Sequence, residues 1–272
     1  MIKILRYDEK PITLIGECVG NCYGSDTTDP AKNYKRGKQC IMDGHGRVEE
    51  YPDVIMEIDE YSIKVVREFY THIVGTTRTQ ESTRYVDMKT RGYFVPPKID
   101  ADANANYIYH TRMKMIFQAY EDLVALGIPK EDASMLLPLG MHTKFVVKMN
   151  VRALLNMAQV RMCTRAYHEY RKLMNDIKAE LSKLSPEWEE IASMMKPKCE
   201  ITGYCEEHYT CGRKPKKDAI DKLVAKDKKA KIYPHTSGNG ITKYICPRCE
   251  MPVDKLDAKY CSECGQKFEE WI

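Results

Sequence analysis

The chain has 272 residues, enough for one domain of about 200 residues with an appendage or for two modest domains, and its 43 Lys and Arg against 39 Asp and Glu leave a net charge of only +4. So small an excess gives no global basic field for a nucleic-acid backbone, and nucleic acid is not an expected partner. With 30% charged residues and no apolar run near ~18 residues, a collagen-like, wholly disordered or membrane-spanning chain is excluded.

The opening MIKILRYDEKPITLIGE lacks the apolar core and small-residue site of a secretory signal, so a cytoplasmic location is expected. From residue 12 to about 70 apolar and polar positions alternate between turn-rich stretches (GNCYGSDTTDP, MDGHG), and Val54–Ile58 is predicted to be a strand. Between Tyr107 and Leu126 the residues Met113, Ile116, Tyr120, Leu123 and Val124 recur at three or four, and Gly127 and Pro129 close the pattern, which predicts a helix buried on one face. No Gly or Pro falls between Gly140 and Pro186, which predicts one long helix or two nearly continuous ones as the spine of a domain spanning 1–213. Residues 214–243 are lysine-rich and read as a linker with one short helix, the lysines forming a solvated face.

The final segment, 244–272, carries Cys246-Pro-Arg-Cys249 and Cys261-Ser-Glu-Cys264. Eleven cysteines in a reducing compartment read as metal ligands before disulfides, and four thiolates on two tight turns suit tetrahedral Zn²⁺. About thirty residues cannot bury enough apolar surface to fold without such a staple, so a small zinc ribbon is expected. Cys199, Cys205, His208 and Cys211 have zinc-type side chains at irregular spacing and suit packing equally well.

Three polar segments interrupt packing-type sequence: Asp43-Gly44-His45-Gly46-Arg47-Val48-Glu49-Glu50; Arg67 through His72 and on to Arg78, Gln80, Glu81 and Ser82-Thr83-Arg84-Tyr85; and Leu137-Pro138 followed by Asn150, Arg152, Asn156, Arg161, Arg165 and Glu169. Singly each is ordinary. In this order they resemble the flavin-dependent thymidylate synthases, whose R-H-R triplet is matched here at His72 alone and whose S-x-R-Y ending and N-x-R-x-L…R…E pattern are matched by Ser82–Tyr85 and by Asn150 to Glu169, the resemblance running from about Thr13 to Arg213.

The resemblance implies an α+β fold, a mixed sheet with long helices, and reductive methylation of dUMP, with FAD relaying hydride from NADPH and methylenetetrahydrofolate giving the carbon. It also implies a homotetramer with shared active sites. Carried over residue by residue, it assigns Arg161 and His45 to catalysis, and Glu68, Gln80, Glu81, Ser82, Thr83, Arg84 and Arg161 to the nucleotide. It assigns Arg47, Glu50, Thr71, His72, Arg78, Asn150, Arg152, Asn156 and Arg165 to FAD. The chemistry agrees: a phosphate needs charge-assisted donors such as Arg84 beside Ser82, and a guanidinium such as Arg161 stabilises charge gathering on the uracil without giving up a proton. Ser82 has no G-x-S-x-G elbow or adjacent base, so a binding role is expected for it.

Thr71 and Ile73 stand where the family has the arginines flanking His72, the spacer to Arg84 is one residue longer, and Ser134 replaces a nucleotide-binding arginine. Those departures keep open a one-carbon transfer, methyl or hydroxymethyl, to another pyrimidine such as dCMP, and a non-catalytic scaffold built on the ribbon stands as a third reading. NADPH leaves no G-x-G-x-x-G fingerprint, as expected of a reductant that visits the flavin transiently. At about 100° per residue, Arg152 and Asn156 share a helix face that Arg161 does not, so one helix is expected to serve two pockets completed by neighbouring subunits.

Overall fold

The computed structural model describes residues 1–221, 230–236, 242–246 and 268–271, and divides into two compact units, Met1–Lys198 and Cys199–Ile272. The sequence placed that boundary at 213.

The first unit is built on a four-stranded sheet of order β1-β2-β4-β3, formed by β1 (Ile2–Tyr7), β2 (Asp53–Ser62), β3 (Thr76–Gln80) and β4 (His142–Asn150). Every pairing is antiparallel, so the sheet expected to be mixed is not. Burial alternates along β2 and β4: Val54, Met56, Ile58, Thr143, Phe145, Val147 and Met149 point into the core. The opposite face is charged and laced by pairs such as Lys148–Asp53 at 2.8 Å and Arg6–Asp53 at 2.7 Å, as suits an antiparallel sheet wet on one side.

The strand expected at Val54–Ile58 lies within β2, but the alternation read from residue 12 does not hold. The segment before it folds as α1 (Pro11–Cys22) and α2 (Pro30–Met42), because Ile12, Ile15, Gly16, Val19 and Gly20 recur at helical spacing and are buried. The GNCYGSDTTDP stretch is the link between those helices, closed by Asp29, whose side chain caps α2 by accepting from the amides of Ala31 and Lys32. Two glycines let the helices touch backbone to backbone: a Cβ on Gly16 would lie 1.7 Å from the Asn33 carbonyl oxygen, and one on Gly37 would lie 2.0 Å from that of Ile12.

The long spine is also corrected. Its first part is β4, whose Thr-Lys-Phe-Val-Val-Lys-Met alternates with period two. The helical remainder is broken into α7 (Val151–Arg161) and α8 (His168–Leu181), which follow α3 (Ile63–Phe69), α4 (Pro97–Asp100), α5 (Ala103–Ala125) and α6 (Lys130–Ala133) in the chain. Helix α5 covers the predicted Tyr107–Leu126, and Gly127 terminates it at φ +86°. The core gathers Val54, Met56, Phe69, Phe145, Leu154, Met157, Tyr170, Leu173, Ile177 and Trp188 of α9 (Pro186–Met194) beneath one sheet face, with a satellite around Met88, Met113, Phe117, Tyr120 and Met141.

In the second unit β5 (Ala230–Thr236) pairs antiparallel with β6 (Thr242–Ile245) and parallel with β7 (Phe268–Trp271). Residues 217–221 are helical, as the linker reading expected, but 230–236 form a strand within what was read as linker. Cys246 is buried; Cys249, Cys261 and Cys264 lie outside the described residues. Among the described residues no group of three or more His, Cys, Asp or Glu comes together to hold a metal, so Cys199, Cys205, His208 and Cys211 do not assemble as one. None of the described helices is long and apolar enough to cross a membrane.

Candidate active site

Helix α7 carries a polar station at each end. Asn150 is its N-cap: Oδ1 accepts from the Ala153 amide at 2.8 Å, while its own amide donates to the Gly75 carbonyl at 3.1 Å. Gly75 needs its φ of +71°, and a Cβ there would sit 2.5 Å from Asn150 Oδ1. In the first turn Arg152 is ion-paired with Glu50, and a Cβ on Gly46 would lie 3.0 Å from Arg152 Nε. This joins the Asp43–Glu50 segment to the Asn150–Asn156 segment. Asn156 is exposed one turn further on, and Arg165 lies exposed between α7 and α8.

Nine residues and about 13 Å along the axis from Arg152, Arg161 closes α7, a favourable place for a cation at the negative end of the helix dipole. Its Nε donates to His72 Nε2 at 2.9 Å, Nη1 to Glu68 Oε2 at 3.1 Å and Nη2 to Thr71 Oγ1 at 3.2 Å, and the guanidinium lies 4.7 Å from the centre of the Tyr170 ring. Glu68 is on the last turn of α3, and Thr71 and His72 are in the turn after it, so the end of one helix collects the ligands of the other. Burial, then the guanidinium groups of Arg161 and Arg78, hold the His72 imidazole below its ordinary pKa. As a neutral ring accepting at Nε2, it carries its proton on Nδ1. Tyr170 was not singled out from sequence; it is fully buried, edge-on to His72, and burial chiefly raises its phenol pKa.

The Gln80–Tyr85 turn forms a separate station. Gln80 Nε2 donates to Thr143 Oγ1 at 3.2 Å; Glu81 is ion-paired with Arg91, which also reaches Asp59 at 3.1 Å. Ser82 Oγ accepts from the Arg84 amide at 3.3 Å, with Thr83 between them, and the Arg84 guanidinium binds Glu131 at 2.8 Å. Lys130 Nζ donates to the Tyr85 carbonyl at 3.3 Å, and the Ser134 hydroxyl turns back onto the Glu131 carbonyl at 2.9 Å. The turn follows β3 and the His72 loop precedes it. Within one chain Arg161 and Ser82–Arg84 therefore lie at opposite ends of a five-residue strand, about 14 Å long at 3.4 Å per residue.

Two cavities lie among these segments, the first of them at the N-cap of α7. One of about 270 Å³ is lined by Glu50, Asp53, Gly75, Thr76, Thr77, Lys148 and Asn150; another of about 350 Å³ holds His45 and Arg47 against Tyr23, Val19, Cys22 and Cys40. The first cavity sets the Thr76 and Thr77 hydroxyls and the Asn150 amide beside two carboxylates, Glu50 and Asp53, which are paired with Arg152 and Lys148, so its neutral donors and acceptors fit the polar edge of a flavin and its cations would have to exchange partners to meet a phosphate. Arg78, expected at the cofactor, donates within the chain to the carbonyls of Tyr70 (3.0 Å) and His72 (3.1 Å).

Sequence reasoning gave Glu169 only a motif position. It is 1% exposed and accepts from the Ser62 amide at 2.7 Å and the Ser62 hydroxyl at 2.6 Å, tying the start of α8 to the cap of α3. A carboxylate amid apolar helix spacing was the signal available for it.

A family model described as thymidylate synthase complementing protein (Thy1) matches residues 3–187. A flavin-dependent thymidylate synthase of Nitratidesulfovibrio vulgaris is 27% identical over 241 residues, covering 80% of this chain and 97% of that one. One from Geobacter sulfurreducens is 28% identical over 222 residues, covering 78% and 94%. Among solved structures, the UMP/dUMP methylase PolB of Streptomyces cacaoi, bound with 5-Br dUMP, superposes with a TM-score of 0.59 at 17% identity, covering 71% of this chain and 94% of that one, which shows a shared fold.

Proposed function

Since the chain belongs to the thymidylate synthase complementing protein family, we propose that it is a flavin-dependent thymidylate synthase converting dUMP to dTMP with methylenetetrahydrofolate as carbon donor and NADPH as reductant. The observation that carries the reading is the seat of Arg161: a guanidinium at a helix end, held on three sides by His72, Glu68 and Thr71 and backed by a buried aromatic ring.

Bound FAD supplies hydride transfer, and Asn150, Arg152, Asn156, Glu50, Thr71, His72, Arg47 and Arg165 would hold it. Ser82, Arg84 and the amides of the Gln80–Arg84 turn bind the nucleotide phosphate by charge-assisted hydrogen bonds, with Glu81 and Thr83 shaping the turn. Arg161 then meets the edge of the pyrimidine where negative charge collects; its orientation is set before substrate arrives, so no reorganisation is needed as charge develops. His45 stands by the opposite end of α7 for proton handling. Because the phosphate turn and Arg161 sit at opposite ends of β3 in one chain, a second copy completes each site, in keeping with a homotetramer. The four terminal cysteines, Cys246, Cys249, Cys261 and Cys264, would hold Zn²⁺ in a structural ribbon outside this chemistry.

Incubating the flavin-loaded protein with dUMP, methylenetetrahydrofolate and NADPH is expected to add a methyl group to dUMP, read by mass. No mass gain on dUMP overturns the reading. Ser134 favours one alternative: its hydroxyl is turned onto Glu131 and brings no cation to the nucleotide. A parallel incubation with dCMP reads out transfer of a methyl or hydroxymethyl group to that base instead. A protein that retains no flavin spectrum after reconstitution points to the scaffold reading.

A further inference from the structure

Arg78 lies in β3, paired in register with Val147, and its guanidinium turns back onto the loop that precedes the strand. Nη1 donates to the His72 carbonyl at 3.1 Å and to Thr76 Oγ1 at 3.0 Å, Nη2 donates to the Tyr70 carbonyl at 3.0 Å, and the guanidinium carbon lies 4.2 Å from the centre of the Tyr70 ring. Thr76 Oγ1 itself donates to the same His72 carbonyl. The Nε is buried without a hydrogen-bond partner among the described residues.

The loop gripped in this way is otherwise held by hydrogen bonds at its two ends, the Thr71 and His72 amides on the Glu68 and Phe69 carbonyls and the Asn150 amide on the Gly75 carbonyl, and not by apolar packing between them. Ile73 and Val74 are 68% and 75% exposed and contribute no core packing, and Gly75 turns the chain at φ +71°. His72 is therefore fixed from two sides, by its carbonyl on Arg78 and by its ring on Arg161. A carbonyl held by a guanidinium is a charge-assisted bond, roughly twice as strong as a neutral one, and two such carbonyls bracket the turn that carries the imidazole.

We infer that Arg78 is a positioning residue, clamping the Tyr70–Thr76 loop so that His72 presents Nε2 to Arg161, and that it is not a ligand of the flavin. What Arg161 does rests on the proposed function; the clamp itself does not. The groups facing His72 are Arg161 from α7, Arg78 from β3, Glu68 from α3 and Tyr170 from α8. Removing Arg78 takes away one of the two guanidinium groups that depress the imidazole pKa and leaves the other in place.

The test compares Arg78→Met and Arg78→Lys with the parent in the full-length protein. In Arg78→Met, amide hydrogen exchange is expected to accelerate at least about tenfold across residues 70–76 while α7 and α8 stay protected, and the His72 imidazole, followed by NMR, is expected to titrate at higher pH. kcat for dUMP methylation falls with little change in KM for dUMP, and Arg78→Lys, which keeps one cationic donor, recovers part of each effect. Unchanged exchange and an unchanged His72 titration in Arg78→Met, with flavin binding selectively lost, overturn the inference in favour of a ligand role. If Arg78→Met does not fold, Arg78→Lys decides by the same readings. If the protein proves inactive on dUMP, exchange and titration still decide, so failure of the clamp is distinguishable from failure of the proposed function.

Discussion

Arg161 Nε donates to His72 Nε2 across 2.9 Å, and only a neutral imidazole can accept that bond. Burial and the two guanidinium groups hold His72 below its ordinary value of 6.5. As pH falls through that value, the unfolded chain takes up a proton that the folded chain still resists, so stability declines with falling pH; the loss is complete below the depressed folded pKa. An imidazolium there also faces Arg161 as a like charge. Thermal stability is therefore expected to fall as pH drops below about 6.5, with methylation activity showing its acid limb lower, at the depressed pKa of the folded protein, and no matching dependence of either above that window. A flat profile down to pH 5 in both measurements argues that His72 is charged or displaced.

Replacing the ring tests the same contact without changing pH. His72→Gln offers Oε1 near the place of Nε2 and cannot become a cation, so it is expected to keep most activity and lose the acid limb. His72→Ala removes an acceptor to a charged donor, an interaction of about 1.5–3 kcal/mol, and is expected to lower kcat/KM by about 10- to 100-fold. Equal losses in the two variants speak against orientation of Arg161 by an acceptor.

Glu169 and Ser62 are each 1% exposed, and the carboxylate takes both the amide and the hydroxyl of Ser62, whose oxygen in turn caps α3 at Val65. Glu169→Gln turns an –NH₂ toward one of these donors and is expected to cost about 2–3 kcal/mol in urea unfolding, more than a surface Glu→Gln change. Because α3 carries Glu68, activity is expected to fall before stability fails. A shift under about 0.5 kcal/mol rules out the clamp.

How much of this was legible beforehand differs by element. The Tyr107–Leu126 helix and the Val54–Ile58 strand were readable because each shows a single clean period with turn residues beyond it. Helices α1 and α2 were not, since glycines at the crossing dilute the apolar signal and their value lies in a partner backbone the sequence does not display. The spine was misread where Thr143–Met149 has no Gly or Pro to announce a strand, although Phe145, Val147 and Met149 alternate. At the candidate site, motif order pointed to Asn150, Arg152 and Arg161, and helix geometry separated the two arginines, which stand at opposite ends of α7. Tyr170, Arg91 and the inward turn of Arg78 depend on contacts between distant segments, which no local pattern records.

The α1–α2 crossing gives a prediction independent of function. Gly16→Ala would place a methyl 1.7 Å from the Asn33 oxygen, and Gly37→Ala would place one 2.0 Å from that of Ile12; both obstacles are backbone and cannot swing aside. The helices must separate, and each variant is expected to lose about 3 kcal/mol or more, outweighing the gain of up to about 1 kcal/mol in helix propensity. By contrast, Gly20→Ala meets the ends of the Thr27 and Arg36 side chains, which can move, and is expected to cost less. Chemical denaturation of the three variants orders them, and a stabilised Gly16→Ala excludes the close crossing.

Arg84 gives its Nε to Glu131, and that carboxylate competes with a phosphate for the guanidinium charge. Their pair, at 2.8 Å, is 62% and 51% exposed, a setting in which an ion pair contributes about 0.2–1 kcal/mol and is screened by salt. Glu131→Gln removes the competitor while keeping the shape of α6, so dUMP binding is expected to tighten by up to about fivefold at low ionic strength and to converge with the parent at high salt. Arg84→Ala weakens binding in either background. Were Glu131 instead holding Arg84 in its binding pose, Glu131→Gln would weaken dUMP binding, and calorimetric titration at two salt concentrations separates the two cases by sign.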